Sequence, residues 1–402
     1  MKDALAGIKV CDFSWVAAGP VVTTYMAGFG ATVVRVESMT RPDTLRTSVP
    51  YKDGKVGINR SGYWAFYNAN KYSMALNFVH PKALAIAKKL AMWSDIVIEN
   101  FTPKTIDRLG LGYEELSKEK PELIMISLSM QGQSGPYATH LGLGPLLAGI
   151  TGVVHLTGWP DRGPVQAGAY SDWLIPDFSL ATVLAALLHR DKTGKGQYLD
   201  LSQCEGSLVS LAPLCLDYFV NHEEGERSGN AWPDAAPHGC YRCQGDDRWC
   251  TIAVFTDDEW NAFCKVIGNL DWCHRPEFAT LASRKQNEAE LNELVEQWTV
   301  KHTAEEVVTL MQEAEVAAGP VETSEDLLKD PQLKFRERFW QMNHPEIGPF
   351  QHLGQPYILS QTPAKARMPA PCLGEHTEYV CREILGISDS EFLELFTEGV
   401  FE

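Results

Sequence analysis

Residues 7–37 read GIKVCDFSWVAAGPVVTTYMAGFGATVVRVE, and their pattern decides the fold. Gly7–Phe13 is a short apolar run of the length and composition of a buried strand. Trp15–Pro20 is a turn, with Pro20 in the first turn of a helix, where a missing N–H costs nothing. Val21–Phe29 reads as that helix, Gly30 ends it, and Ala31–Glu37 reads as a second strand. Strand, helix and strand within so few residues make a β-α-β unit, which demands a parallel sheet and a right-handed crossover. The turn holds Ala17-Ala18-Gly19-Pro20 where a dinucleotide-binding turn would carry G-x-G-x-x-G, so a nicotinamide dehydrogenase is disfavoured. Small residues there leave room for a ligand to approach the backbone, or for the turn to pack on its own helix.

The same alternation continues. Tyr72–Phe78 reads as a strand, Pro81–Trp93 as an amphipathic helix and Ser94–Glu99 as another strand. Asn100-Phe101 therefore sits at a strand's carboxyl end, where open α/β sheets bind ligands. Thr102–Leu109 reads as a short helix carrying Lys104 and Arg108, Tyr113–Glu119 as a helix and Leu123–Leu128 as a strand. The expected fold class is α/β, a Rossmann-like large domain of parallel sheet and helices joined to a smaller α+β domain. Farther on, GPVQAGAYSDWLIPDFSLATVLAALLHRDKTGKGQ spans residues 163–197. It reads as a loop holding Asp172 and Asp177, followed by an apolar helix that stops at Thr193-Gly194-Lys195-Gly196. Either acid suits a helix N-cap, and either could be a carboxylate kept ionised by the helix dipole.

Bulk composition narrows the function. The formal net charge is −17, which argues against nucleic-acid binding and against an anionic membrane surface. It also makes each basic residue near a pocket informative. Leu208–Val220 and Pro145–Leu156 are the most apolar runs, and both are too short to span a bilayer. The N-terminal sequence runs straight into the first strand without a signal-peptide pattern, so a cytoplasmic location is expected. Ten cysteines are scattered through apolar patterns and read as reduced core thiols. His238, Cys240, Cys243 and Cys250 have metal-ligand chemistry but no second CxxC, and no metal site is expected.

Composition shifts near residue 221, where NHEEGERSGNAWPDAAP is polar and turn-rich. The expected plan is a large domain begun by residues 1–203, a linker over 204–237 and a small domain over 238–322. A second linker over 323–351 leads to a C-terminal segment, 352–402, that completes the large domain. Nucleophile-elbow, phosphate-loop and HExxH signatures are absent.

Seven segments in order nevertheless resemble the family III CoA-transferases, the group of the formyl-CoA:oxalate and crotonobetainyl-CoA:carnitine enzymes. They are LAGIKVCDF with AGP, GATVVRVE, NANKYSMALNF, SDIVIENFTP with IDRLGL, QGQSGPY, the loop-helix ending in KTGKGQ, and LGEHT. The resemblance implies a catalytic aspartate at Asp172, counted back from Gly196, and leaves Asp177 as a helix residue. Pro176 stands where the family usually has glycine. It implies CoA contacts at Val16, Ala17, Ala18, Lys71, Leu76, Asn77, Phe78, Val79, Asn100, Phe101 and Arg108, with Arg108 pairing a CoA phosphate. It also implies a substrate pocket bordered by Tyr137, Gly142, His238 and Gly239.

By the same resemblance, Asp172 attacks an acyl-CoA to give a mixed anhydride and then an aspartyl-CoA thioester. Acyl-CoA and a small carboxylic acid are substrates, no tightly bound cofactor is needed, and two chains form an interlocked homodimer. Formyl-CoA transferases have Gln at the place of Ala17 and a glycine run in the small domain. Here only His238-Gly239 answers that run, which points to an acid bulkier than formate or oxalate. Two other readings stand beside this one. An α-methylacyl-CoA racemase needs a histidine upstream of the acid, where this chain has Gly142-Leu143-Gly144 and His140 nearby. A non-catalytic CoA-binding subunit would not need Asp172.

Overall fold

The computed structural model describes residues 3–402. Six parallel strands form one sheet: β1 (Lys9–Asp12), β2 (Thr32–Glu37), β3 (Tyr72–Ala75), β4 (Ile96–Glu99), β5 (Ile124–Ser129) and β6 (Tyr198–Ser202). Their spatial order is β3-β2-β1-β4-β5-β6. The order reverses between β1 and β4, so the crevice beyond the carboxyl ends of those strands is the natural ligand position.

Alternation along the strands divides the core between the two faces. Cys11, Val34, Met74, Val97 and Met125 face the Pro81–Trp93 helix, through Ala83, Ala87 and Leu90, and the C-terminal residues Val380, Leu395 and Phe401. Val10, Val33, Ile96, Ile98, Ile124 and Ile126 face the Ala18–Gly28 helix and the long Ser171–Thr193 helix. With both faces covered, the strands are apolar at successive positions, as parallel sheets require.

Two compact units divide the chain. The larger comprises the residues up to Val154, Gln166–Glu224 and Gln332–Glu402, and the smaller His155–Val165 and Gly225–Pro331. The excursion of His155–Val165 into the smaller unit is absent from the plan read from sequence, because its glycines and prolines carry no period. In the smaller unit, β7 (His238–Arg242), β8 (Trp249–Ala253) and β9 (Ala317–Pro320) form an antiparallel sheet with β8 in the middle. Its Tyr241, Cys250 and Ile252 pack on Phe263, Leu291, Val307 and Met311 of the covering helices.

Two expectations for the connecting segments change. Across the end of the expected second linker and the start of the C-terminal segment, Phe339–His344 pairs antiparallel with Gly348–Leu353 as the hairpin β10-β11, all inside the larger unit. The long helix begins at Ser171, so both acids lie within it. Asp177 is therefore not a cap: it accepts a 2.5 Å hydrogen bond from the Tyr357 hydroxyl. The helix ends as expected, with Gly194 at φ 71°, a left-handed conformation that glycine adopts without penalty. This helix has the length and composition of a membrane span, but Ile175, Val183, Ala186 and Leu187 are buried within the unit.

Candidate active site

At the carboxyl ends of β1 to β4 lies a cavity of about 570 Å³. Phe13 and Trp15 line it after β1, Ser38, Thr40 and Arg41 after β2, and Leu76, Asn77, Phe78 and Val79 after β3. Phe101, Thr105 and Arg108 line it after β4. The wall is mostly apolar and carries two exposed guanidinium groups, a suitable combination for a ligand with an apolar body and anionic groups. Six of the expected contacts meet here: Leu76, Asn77, Phe78, Val79, Phe101 and Arg108. Arg108 donates to the Thr105 hydroxyl at 3.0 Å, which holds its side chain toward the cavity wall.

Sequence reasoning missed Trp15, Arg41 and Thr105. Arg41 lies just beyond the carboxyl end of a parallel strand, a positional signal that would have found it. Its guanidinium sits 5.5 Å from the Trp15 ring, and Phe101 meets the same ring edge-on at 6.5 Å.

The turn between β1 and its helix is braced from below. Val16 is held at φ 62°, a conformation that is costly for a β-branched residue. Its N–H donates to the Asp43 carboxylate at 3.1 Å. Asn100 clamps the preceding residue from both sides, accepting from the Trp15 N–H at 2.7 Å and donating to the Trp15 carbonyl at 2.6 Å. Gly19 is obligatory, because a Cβ there would lie 2.3 Å from Cβ of Ser14.

This geometry redefines five expected contacts. Val16, Ala17, Ala18 and Asn100 do not line the cavity; they build the turn that presents Trp15 to it. Ala17 and Ala18 are buried, and Asn100 has committed its amide to Trp15. Lys71 is wholly enclosed. Its ammonium donates to Asp12 at 3.3 Å, the Pro20 carbonyl at 2.9 Å and Asn68 at 3.0 Å. All three donors are thereby used, and Lys71 has none left for a CoA phosphate. Arg35 bridges Asp12 and Asp43 in the same cluster, at 3.2 and 2.5 Å. Burial draws the Lys71 pKa down to about 8 despite the Asp12 charge beside it.

On the other side of the turn stands Asp172, in the first turn of the long helix. Ala18 of the turn and Ile175 of that helix share one small apolar cluster. The dipole at the helix start favours an ionised carboxylate, but burial prevails and pushes the Asp172 pKa up to about 6. Gly144 comes so close that a Cβ on it would lie 2.7 Å from Oδ2 of Asp172. Trp173, the next residue of the helix, meets the rings of Phe66 and Tyr67 at 6.0 and 5.5 Å, centre to centre, and Tyr63 stacks on Tyr67 at 6.0 Å; of these rings Tyr67 feels the Asp172 charge. Pro176 has no N–H to offer the Asp172 carbonyl one turn earlier, so that carbonyl lacks its helical donor.

The remaining expected site residues separate. In the larger unit, Tyr137 is exposed and packs on His140 at 4.7 Å, and Gly142 lies against Met130. Gly144, two positions beyond Gly142, is the glycine that meets Asp172. In the smaller unit, His238 and Gly239 border two cavities of about 690 and 430 Å³. His238 Nδ1 lies 2.6 Å from the Asn230 carbonyl.

The CoA-transferase family III profile matches residues 5–377. The succinyl-CoA–D-citramalate CoA-transferase of Chloroflexus aurantiacus is 31% identical over 397 residues, which cover 98% of each chain. The human succinyl-CoA:glutarate CoA-transferase is 27% identical over 399 residues, covering 99% of this chain and 90% of its own. A crystal structure of a CAIB/BAIF family protein from Brucella suis superposes with a TM-score of 0.87 at 30% identity. It covers 96% of this chain and all of its own.

Proposed function

The chain belongs to CoA-transferase family III and is an enzyme of the CoA-transferase class, and from that premise we propose that Asp172 is its nucleophile. Asp172 attacks the thioester carbonyl of an acyl-CoA; the C–S bond breaks, CoA leaves as thiolate, and an acyl–aspartyl anhydride remains. The thiolate then attacks the aspartyl carbonyl carbon, the anhydride C–O bond breaks, and the donor acid departs as carboxylate. An acceptor carboxylate displaces the thiolate from the aspartyl-CoA thioester, and the thiolate attacks the acceptor acyl carbon, which frees Asp172. One thioester replaces another with no net proton change.

The observation that carries this reading is a half-buried carboxylate with no cationic partner among the described residues, one turn of chain away from the cavity of about 570 Å³. A carboxylate tied to an arginine would be a poor nucleophile. Asp172 is raised instead, which strengthens it as a base and as an attacking oxygen. In the cavity, Arg108 and Arg41 face the CoA phosphates, while Trp15, Phe78 and Phe101 enclose apolar parts of the cofactor. The anhydride and the aspartyl thioester need a dry site, and the buried Tyr67 ring near Asp172 supplies part of the apolar cover.

The named relatives use succinyl-CoA, which supports it as the first donor to test, with dicarboxylates such as glutarate as acceptors. We place the enzyme in the cytoplasm as an interlocked homodimer. The Ala212–Asn221 helix supports the dimer: none of its residues is buried, and Phe219 is 80% exposed, an apolar face of the kind that partner chains cover. Transfer is tested by incubating the protein with succinyl-CoA and a panel of carboxylic acids and following new CoA esters by mass spectrometry. CoA transfer supports the reading. Exchange of the α-proton in D2O without any acceptor acid would instead mark a racemase.

A further inference from the structure

We propose that the Tyr67 hydroxyl is a further catalytic group, donating a hydrogen bond to the acyl oxygen as charge builds on it during carbonyl attack at Asp172. The proposal rests on Asp172 as nucleophile and adds the group that receives the oxyanion. Each carbonyl attack turns a planar C=O into a tetrahedral centre with a negatively charged oxygen. A preorganised donor aimed at that oxygen in a water-poor site is among the strongest catalytic devices available to a protein.

Tyr67 closes the Gly62–Tyr67 helix and is 4% exposed. Its position is fixed on three sides. Tyr63 stacks on it with planes 6° apart, Phe66 meets it edge-on at 5.2 Å, and Trp173, next to Asp172, lies 5.5 Å away. Its backbone carbonyl accepts from the Thr24 hydroxyl at 2.5 Å. It packs in one cluster with Ala17 of the turn behind the cavity. The ring thus touches the turn through Ala17 and the long helix through Trp173, and it lies close enough to Asp172 to feel its charge.

No hydrogen bond is made by the Tyr67 hydroxyl among the described residues, and its oxygen is not one of the buried polar atoms left without a partner. The ring is buried but the hydroxyl is open, free to donate to an acyl oxygen that enters beside it. Burial above all, with Tyr63 and the Asp172 carboxylate adding to it, holds the phenol proton well beyond ordinary pH. The group is therefore a neutral donor throughout the range in which Asp172 is ionised. The other nearby polar groups serve less well. Ser171 is wholly enclosed, and the Tyr170 hydroxyl points to the Ser207 carbonyl at 3.5 Å.

The test compares wild type with Tyr67→Phe, which keeps the ring stack and removes one hydroxyl. Expected are an unchanged melting temperature and an unchanged KM for acyl-CoA, with kcat and the single-turnover rate of aspartyl adduct formation about a hundredfold lower. Fluorotyrosine at position 67, which retains a more acidic donor, should restore activity. A Tyr67→Phe rate within about twofold of an active wild type, a loss confined to KM, or fluorotyrosine no better than Phe would overturn the proposal. Wild type that transfers no CoA would overturn the underlying reading instead, and that result is seen before any variant is made.

Discussion

Gly144 and Asp172 meet at backbone distance: a Cβ on Gly144 would lie 2.7 Å from the carboxylate Oδ2 and 2.6 Å from Cβ of Ala169. Room for the Asp172 carboxylate is made by the absence of a side chain on the facing segment. Gly144→Ala should displace the carboxylate and lower kcat by tenfold or more, since small misplacements of a reacting group are expensive. CoA affinity, measured by calorimetry, should hold, because the cavity lies on the other side of the turn. An unchanged kcat would remove Gly144 from the site.

The raised Asp172 pKa sets a pH dependence. Only the ionised carboxylate attacks, so kcat/KM should rise about tenfold per pH unit and level off above about 6. Stability should run the other way. The native acid binds its proton more tightly than the unfolded one, so stability falls as pH rises from about 4 to about 6. Asp172→Asn should accordingly be more stable than wild type at pH 7, by about 1–3 kcal/mol, and the difference should vanish near pH 4. Urea unfolding at both pH values checks the sign.

Arg108 and Lys71 should separate binding from folding. Arg108 is exposed at the cavity, and Arg108→Ala should raise the Kd for CoA by about tenfold or more, the worth of one charge-assisted pair. The effect should shrink for dephospho-CoA if the contact is to the ribose phosphate, and salt should weaken wild-type binding more than the variant's.

Lys71→Met should act on the fold. Removing one member of the Lys71, Asp12 and Arg35 cluster leaves a buried acid short of a partner, at a cost of about 3 kcal/mol or more. Denaturant unfolding should show this loss, while any surviving folded protein binds CoA nearly as wild type. A stable Lys71→Met protein with weakened CoA binding would reverse the assignment.

How much of this was legible in the sequence depends on the physical signal each feature left. The parallel sheet was readable because buried strands such as Ile96–Glu99 are apolar at successive positions, and helices such as Pro81–Trp93 carry the helical period. The start of the long helix was not readable. Pro176 argues for a boundary near itself, yet a proline in the second turn asks only that the Asp172 carbonyl go without its donor. The family resemblance makes Asn100 and Lys71 ligand contacts. Sequence places a residue in a segment but does not say whether its side chain points outward or is committed beneath the turn. Arg41 was passed over in a polar loop with no period, although its place after a parallel strand was a usable clue. The His155–Val165 excursion and the β10-β11 hairpin depend on contacts distant in the chain.

The central claim is covalent chemistry at Asp172, and trapping tests it most directly. The protein is incubated with an acyl-CoA it uses, the intermediate is captured with hydroxylamine or borohydride, and the modified residue is mapped by peptide mass spectrometry. The expected result is an adduct on Asp172, absent in Asp172→Ala and retained in Asp177→Ala. An adduct on any other residue, or full transfer activity in Asp172→Ala, would contradict the account.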